Sequence, residues 1–156
     1  MTTMKRFTIF ALIMVVAIAF TAQAQDAIFK KYASEDGVTL VNISKNMLRL
    51  IPKLKTGNKK VKDTANKLDH IRVLSCDNKK TAGKIKKDLT NYIKKNNYEE
   101  VISTREGKEL TQILQRELGG GKFEYVILST TQNEINIVNI TGALTLDEAR
   151  DLDLDF

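Results

Sequence analysis

Between Lys79 and Asn97 the apolar residues Ala82, Ile85, Leu89, Tyr92 and Ile93 recur at helical spacing. They form one stripe, and Lys80, Lys84, Lys86, Lys87, Lys94 and Lys95 lie mainly off it. A helix of this length is marginal in water by itself, so its apolar stripe must be buried against a second layer. Asp77 or Asn78 is a suitable N-cap, and Asn96-Asn97 suits the C-terminal end. The rest of the chain must therefore supply a surface for this helix to cover.

That surface reads as strands. Val38 to Ile43 is rich in β-branched and apolar residues and follows the turn signal Asp36-Gly37. His70 to Cys76 and Tyr98 to Thr104 read the same way. Leu110 to Leu118 is ambiguous: Leu110, Ile113 and Leu114 fit a helix. The flanking turns at Glu106-Gly107-Lys108 and Gly119-Gly120-Gly121 favour a strand of a meander. Phe123 to Thr130 and Glu134 to Ile140 form a hairpin around Thr131-Gln132-Asn133, and Gly142 ends the last strand. Two short helices are expected earlier. One carries Met47, Leu48 and Ile51 and stops at Pro52; the other carries Val61, Ala65 and Leu68, after a loop at Thr56-Gly57-Asn58. Helices early and hairpins late predict an α+β fold, a mostly antiparallel sheet with helices packed on one face.

The first 24 residues stand apart. Lys5 and Arg6 precede the uncharged apolar run Phe7 to Phe20, and Ala22 and Ala24 are the small residues of a cleavage site. This is the pattern of a cleavable signal peptide. The expected organisation is a signal at 1–24, a single α+β domain at 25–145 and an acidic tail at 146–156. The run is shorter than the ~20 residues of a bilayer span, and no later run is longer, so no transmembrane segment is expected after cleavage. The expected location is exported: periplasmic or extracellular, in association with the envelope. Cys76 is the single cysteine, so the fold has no internal disulfide and rests on its core. Its place at the end of an apolar run fits a buried, inert thiol, with an intermolecular disulfide or a reactive thiol as the alternative.

Charge is the most informative bulk feature. The chain has 25 basic and 19 acidic residues, a net charge of +6. From Lys45 to Lys95 the basic residues far outnumber the acidic ones, and from Tyr98 onward the balance reverses, ending in LDEARDLDLDF. A basic face either attracts anionic lipid, lipopolysaccharide or nucleic acid, or is a solvated helix face that keeps the protein in solution. Lys80, Lys84, Lys86 and Lys87 are the candidate interaction face, with an envelope protein or an anionic envelope surface as the expected partner. Nucleic acid is a poor fit, because aromatic residues are only 6% of the chain and stacking platforms are scarce.

Catalytic patterns are thin. Ser44 follows an apolar run, but Asn42-Ile43-Ser44-Lys45-Asn46 lacks both glycines of a nucleophile elbow. A serine at a strand-to-helix junction is a preferred N-cap. His70 is the single histidine, which leaves one base for a serine nucleophile and too few ligands for zinc. The alternating aspartates Asp151, Asp153 and Asp155 lack the central glycine and distal glutamate of a calcium loop. Gly119-Gly120-Gly121 matches no phosphate-binding pattern. No catalytic, cofactor or metal residue is assigned. The expected function is a non-catalytic binding or protein-interaction domain. The alternatives are a small periplasmic hydrolase using Ser44 or His70, or a regulatory envelope stress-response component.

The segments Phe29-Lys30-Lys31-Tyr32, VTLVNISKNMLRLIPKL, Ile71 to Leu74 and Ile137 to Gly142 resemble an exported domain-of-unknown-function family of Gram-negative bacteria, of the DUF4252 type. The most specific part is Ile43 to Pro52. The resemblance implies a small envelope protein with a signal peptide. This chain lacks the lipobox cysteine of many relatives, and the resemblance supplies no catalytic residues.

Overall fold

A computed structural model describes residues 23–48, 50 and 59–150. In chain order these form α1 (Gln23–Tyr32), β1 (Val38–Ser44), α2 (Lys45–Leu48), α3 (Lys59–Lys67), β2 (Leu68–Cys76), α4 (Lys79–Lys95), β3 (Glu99–Glu106), β4 (Glu109–Gly119), β5 (Lys122–Thr130), β6 (Ile135–Gly142) and α5 (Leu146–Arg150). The expectations for the signal region before residue 23, for Ile51-Pro52, for Thr56 to Asn58 and for Asp151 to Phe156 lie outside the described residues.

The fold is α+β. Six strands make one sheet in the order β1-β2-β6-β5-β4-β3, and every neighbouring pair is antiparallel. The last four strands are a meander that places β6 beside β2, and the ambiguous 110–118 segment is the strand β4. Successive strand residues point to opposite faces, so the sheet has two sides. On the first, α1 and α4 cover Leu74, Cys76, Leu114, Val126, Leu128, Ile135 and Ile137. The second has its own cluster of Ile43, Leu68, Ile71, Tyr125, Ile140 and Leu144, to which the short helices α2 and α5 add Leu48 and Ala149. The expected layering thus holds for the two long helices, while the short ones pack on the opposite side.

Helix α4 forms where its periodicity places it. Asn78 caps it, its Oδ1 accepting from the amides of Lys80 and Thr81 at 3.1 Å each. Its buried residues are Thr81, Ala82, Ile85, Leu89 and Tyr92. At the other end the Asn96 amide donates to the Ile93 carbonyl, and Asn97 takes a left-handed turn at φ 54°. Helix α3 stops at Lys67; Leu68, expected as its last apolar residue, instead opens β2 and is completely buried.

Beside the C-terminal half of α4 the same sheet face is polar. Glu124 on β5 is 3% exposed. One carboxylate oxygen accepts from Arg116 (Nε 3.1 Å, Nη2 2.6 Å) and from the Tyr98 hydroxyl at 2.7 Å. The other accepts from Asn139 Nδ2 at 3.0 Å. The Arg116 guanidinium lies 4.8 Å from the centre of the Tyr98 ring and 6.0 Å from that of Tyr92 on α4. Burial, reinforced by the Glu124 carboxylate, pushes the Tyr98 phenol well above its usual range. Burial works most strongly to lower the Arg116 pKa, but the charge of Glu124, the neighbouring Tyr98 and Tyr92 and the hydrogen bond to Glu124 together offset it, and the net shift is upward.

Two close approaches fix local choices. A Cβ at Gly142 would collide with the backbone carbonyl of Lys67. Gly37 has φ +76°, and a Cβ there would lie 2.6 Å from Asp77 Oδ1. Gly83, exposed in the middle of α4, has nothing within 4 Å of a built Cβ.

Three outcomes follow for stability, each measured by urea unfolding. Gly83→Ala should stabilise by about 0.5–1 kcal/mol, since alanine loses less entropy in a helix. Gly142→Ala should destabilise by about 1–3 kcal/mol, because the backbone it meets cannot yield as a side chain would. Arg116→Met should cost about 3–5 kcal/mol by leaving Glu124 charged and buried. An Arg116→Met variant with unchanged stability would remove the buried pair from any structural role.

Candidate anion-binding face

The lysine content of α4 follows from what the helix buries. Its apolar stripe takes the positions against the sheet, so charged residues are left for the remaining arc. Lys79, Lys80, Lys84, Lys86, Lys87, Lys94 and Lys95 are all exposed, and none makes an ion pair among the described residues. The helix has one acid, Asp88, and it is committed to α1. Lys31 Nζ lies 2.6 Å and the Tyr32 hydroxyl 2.7 Å from its Oδ2. The contact with Lys31, then that with Tyr32, holds the Asp88 carboxyl below the usual range. Packing α1 against α4 therefore removes the only negative charge on the helix from the account of its outer surface.

The four lysines singled out from sequence divide into two groups. Lys80, Lys84 and Lys87 recur at i, i+4 and i+7, a single strip pointing away from the sheet. Lys86 lies about 100° round the helix from Lys87, on the flank away from Asp88. There it lines a cleft of about 490 Å³ with Arg105, Gly107, Lys108, Leu110, Thr130, Thr131 and Gln132. Arg105 and Lys108 come from the two sides of the β3–β4 turn, which Gly107 closes at φ 59°. The Thr131 hydroxyl accepts from the amides of Asn133 and Glu134 and shapes the β5–β6 turn. Lys86, Arg105 and Lys108 are all without an ion pair among the described residues.

Three uncompensated cations around one opening, with threonine hydroxyls and an amide at its edge and Leu110 in its wall, suit an anionic group. Sequence reasoning missed Arg105 and Lys108. The Glu106-Gly107-Lys108 turn was legible, but nothing in its spacing shows that it comes close to α4.

The other sequence candidates are placed as follows. Ser44 stands at the strand-to-helix junction as expected, but its hydroxyl makes no hydrogen bond among the described residues, so it occupies the cap position without capping. α2 is only four residues long, and little is lost by this. Ser44 and His70 are direct partners across β1 and β2. Both His70 nitrogens are engaged elsewhere: Nδ1 accepts from Arg72 Nε at 3.0 Å, and Nε2 faces Asn42 Oδ1. With Nδ1 accepting, Nε2 carries the hydrogen toward Asn42, and neither nitrogen is free to take a proton from Ser44. Cys76 is buried, its thiol donating to the Asn78 carbonyl at 3.6 Å. Among the described residues there is no group of three or more metal-ligating side chains, and no helix long and apolar enough to cross a membrane.

No curated protein matches the chain. A family model described as a domain of unknown function, DUF4252, matches residues 32–152. That span begins at the last residue of α1, takes in all six strands and both α4 and α5, and includes every residue of the cleft. The chain belongs to this domain-of-unknown-function family, DUF4252.

Proposed function

We propose that this is an exported, non-catalytic binding domain of the cell envelope, and that the outer face of α4, with the cleft beside it, holds an anionic partner. The carrying observation is the set of α4 lysines left without counter-ions while Asp88 is spent on α1. Maintaining so many like charges on one helix costs stability through mutual repulsion, a cost that binding an anion would relieve. The favoured partner is an anionic envelope surface. The strip Lys80, Lys84 and Lys87 is suited to lie along such a surface, and Lys86, Arg105 and Lys108 to take a single anionic headgroup. An acidic envelope protein or regulator would use the same residues, and in-cell cross-linking separates that case from a lipid surface.

The hydrolase alternative has one observation in its favour, the pairing of Ser44 with His70. It requires His70 to give up Arg72 or Asn42 first. Loss of an ester-cleaving activity in Ser44→Ala, with the protein still folded, would support it.

The test of the main reading is a charge-reversed variant carrying Glu at Lys80, Lys84, Lys86 and Lys87. Each lysine near an anionic bilayer contributes about 1 kcal/mol, so binding to anionic vesicles should weaken by at least about 1000-fold. Wild-type binding should also fall steeply as salt rises. Equal binding by both proteins, or salt-independent binding, would contradict the proposal.

The Asp88 pair supplies a pH test. A carboxyl held below its unfolded value stabilises the fold above the unfolded pKa of about 3.9, and that stability is lost as pH falls through the folded value. The difference in stability between wild type and Asp88→Asn should therefore be full at neutral pH and shrink in acid. A difference that persists unchanged to pH 2 would assign the effect to packing alone.

A further inference from the structure

The two edges of the sheet are built differently. A sheet edge presents unpaired backbone donors and acceptors, and stable monomers guard it with charges, bulges or prolines. β3 is guarded. Its sequence EEVISTRE carries four charges, and its register with β4 shifts between Glu100 and Ile102. β1 is not. VTLVNIS has no charge, no proline and no glycine, and its seven residues pair with β2 without a break in register. The neighbouring surface is apolar: Leu40 is 39% exposed, Met47 53% and Leu50 69%.

We propose that the β1 edge is the site of self-association, where a second copy of this chain pairs antiparallel to join two six-stranded sheets. An antiparallel pair is related by a two-fold axis, so the same strand can serve both sides. Centred on Val41, the pairing uses all seven residues. Val41 faces its own two-fold mate, Leu40 faces Asn42, Thr39 faces Ile43, and Val38 faces Ser44.

Two features of this chain favour a copy of itself over an unrelated peptide. The first is charge. The residues before β1 include Glu35 and Asp36, and the residue after it is the half-exposed Lys45, which also reaches Asp69 at 3.4 Å. Antiparallel pairing brings unlike ends together, and no like charges meet along the strand, although the chain as a whole is strongly basic. The second is continuity. Val41, Val73, Val138, Ile127, Ile113 and Ile102 are register partners in one β-branched row across all six strands of the sheet. Pairing Val41 with its mate continues that row into the second sheet, where β-branched cross-strand pairs are favourable. A two-fold axis normal to the sheet also leaves both α4 helices on the same side. Their lysine faces would then meet one anionic surface together, and the second contact would be intramolecular.

The association is tested on the full exported protein recovered from the producing cells. Sedimentation velocity over a range of concentrations should show a monomer–dimer equilibrium. The variant Thr39→Lys/Leu40→Lys places like charges on the edge at exposed positions and should weaken dimerisation at least tenfold while melting within a few degrees of wild type. The register is tested independently by single cysteines. Val41→Cys should form a disulfide-linked dimer on mild oxidation, because directly opposed residues have Cβ atoms about 4.5–5.5 Å apart. Thr39→Cys should not, since its mate lies about four residues along the strand, about 13 Å away. A monomer at every concentration, or equal dimerisation by the lysine variant, would overturn the proposal. So would equal cross-linking at positions 39 and 41.

Discussion

The burial of one helix stripe is the constraint on which the rest of the structure depends. Ala82, Ile85, Leu89 and Tyr92 leave water together when α4 settles on β2 and β6. Fully burying a large apolar side chain is worth about 1.5–3 kcal/mol, an upper bound because the unfolded chain already buries some of it. In a chain with one cysteine and no disulfide, contacts of this kind must carry the fold. They also fix which residues of α4 are left outside. The stripe faces the sheet, Asp88 turns to α1, and the arc that remains is mostly lysine, interrupted by Gly83, Thr90 and Asn91. The basic face is thus a consequence of how the helix is packed.

A buried polar network closes the same side of the sheet. Glu124 accepts from Arg116 on β4, from Tyr98 just before β3 and from Asn139 on β6. Arg116 then stacks on Tyr98 and reaches the ring of Tyr92. An ion pair this far from water is strengthened by the low dielectric around it, and is costly if broken. It fixes the meander strands relative to the C-terminal half of α4, and so helps to position the β3–β4 turn that brings Arg105 and Lys108 to Lys86.

Much of this was legible in the sequence. The period of α4, its Asn78 cap and its Asn96-Asn97 end follow from residue type and spacing. The β5–β6 hairpin follows from apolar runs around a polar turn, and β4 from the glycine turns on either side of it. Cys76 closes an apolar run and is buried accordingly. Other features depend on strand order, which local patterns do not encode. Glu124 looks like an outward-facing residue in KFEYVILST, yet it is buried because Arg116 and Asn139 arrive from neighbouring strands. The pairing of Ser44 with His70 arises from the β1–β2 register, and the cleft from a turn meeting a helix flank some twenty residues away in sequence. Ser44 shows the limit of residue-type reasoning: the position is that of a cap, and the bond is not made.

The central claim is that the outer face of α4 and the neighbouring cleft form one anion-binding surface. Amide chemical shifts, followed while the folded protein is titrated with nanodiscs of zwitterionic or anionic lipid, test it most directly. The account predicts changes confined to the exposed arc of α4 and to Arg105, Gly107, Lys108, Thr131 and Gln132. They should appear only with anionic discs and disappear at high salt. Changes centred on Ser44 and His70 or on the opposite sheet face, or equal responses to both lipids, would contradict it.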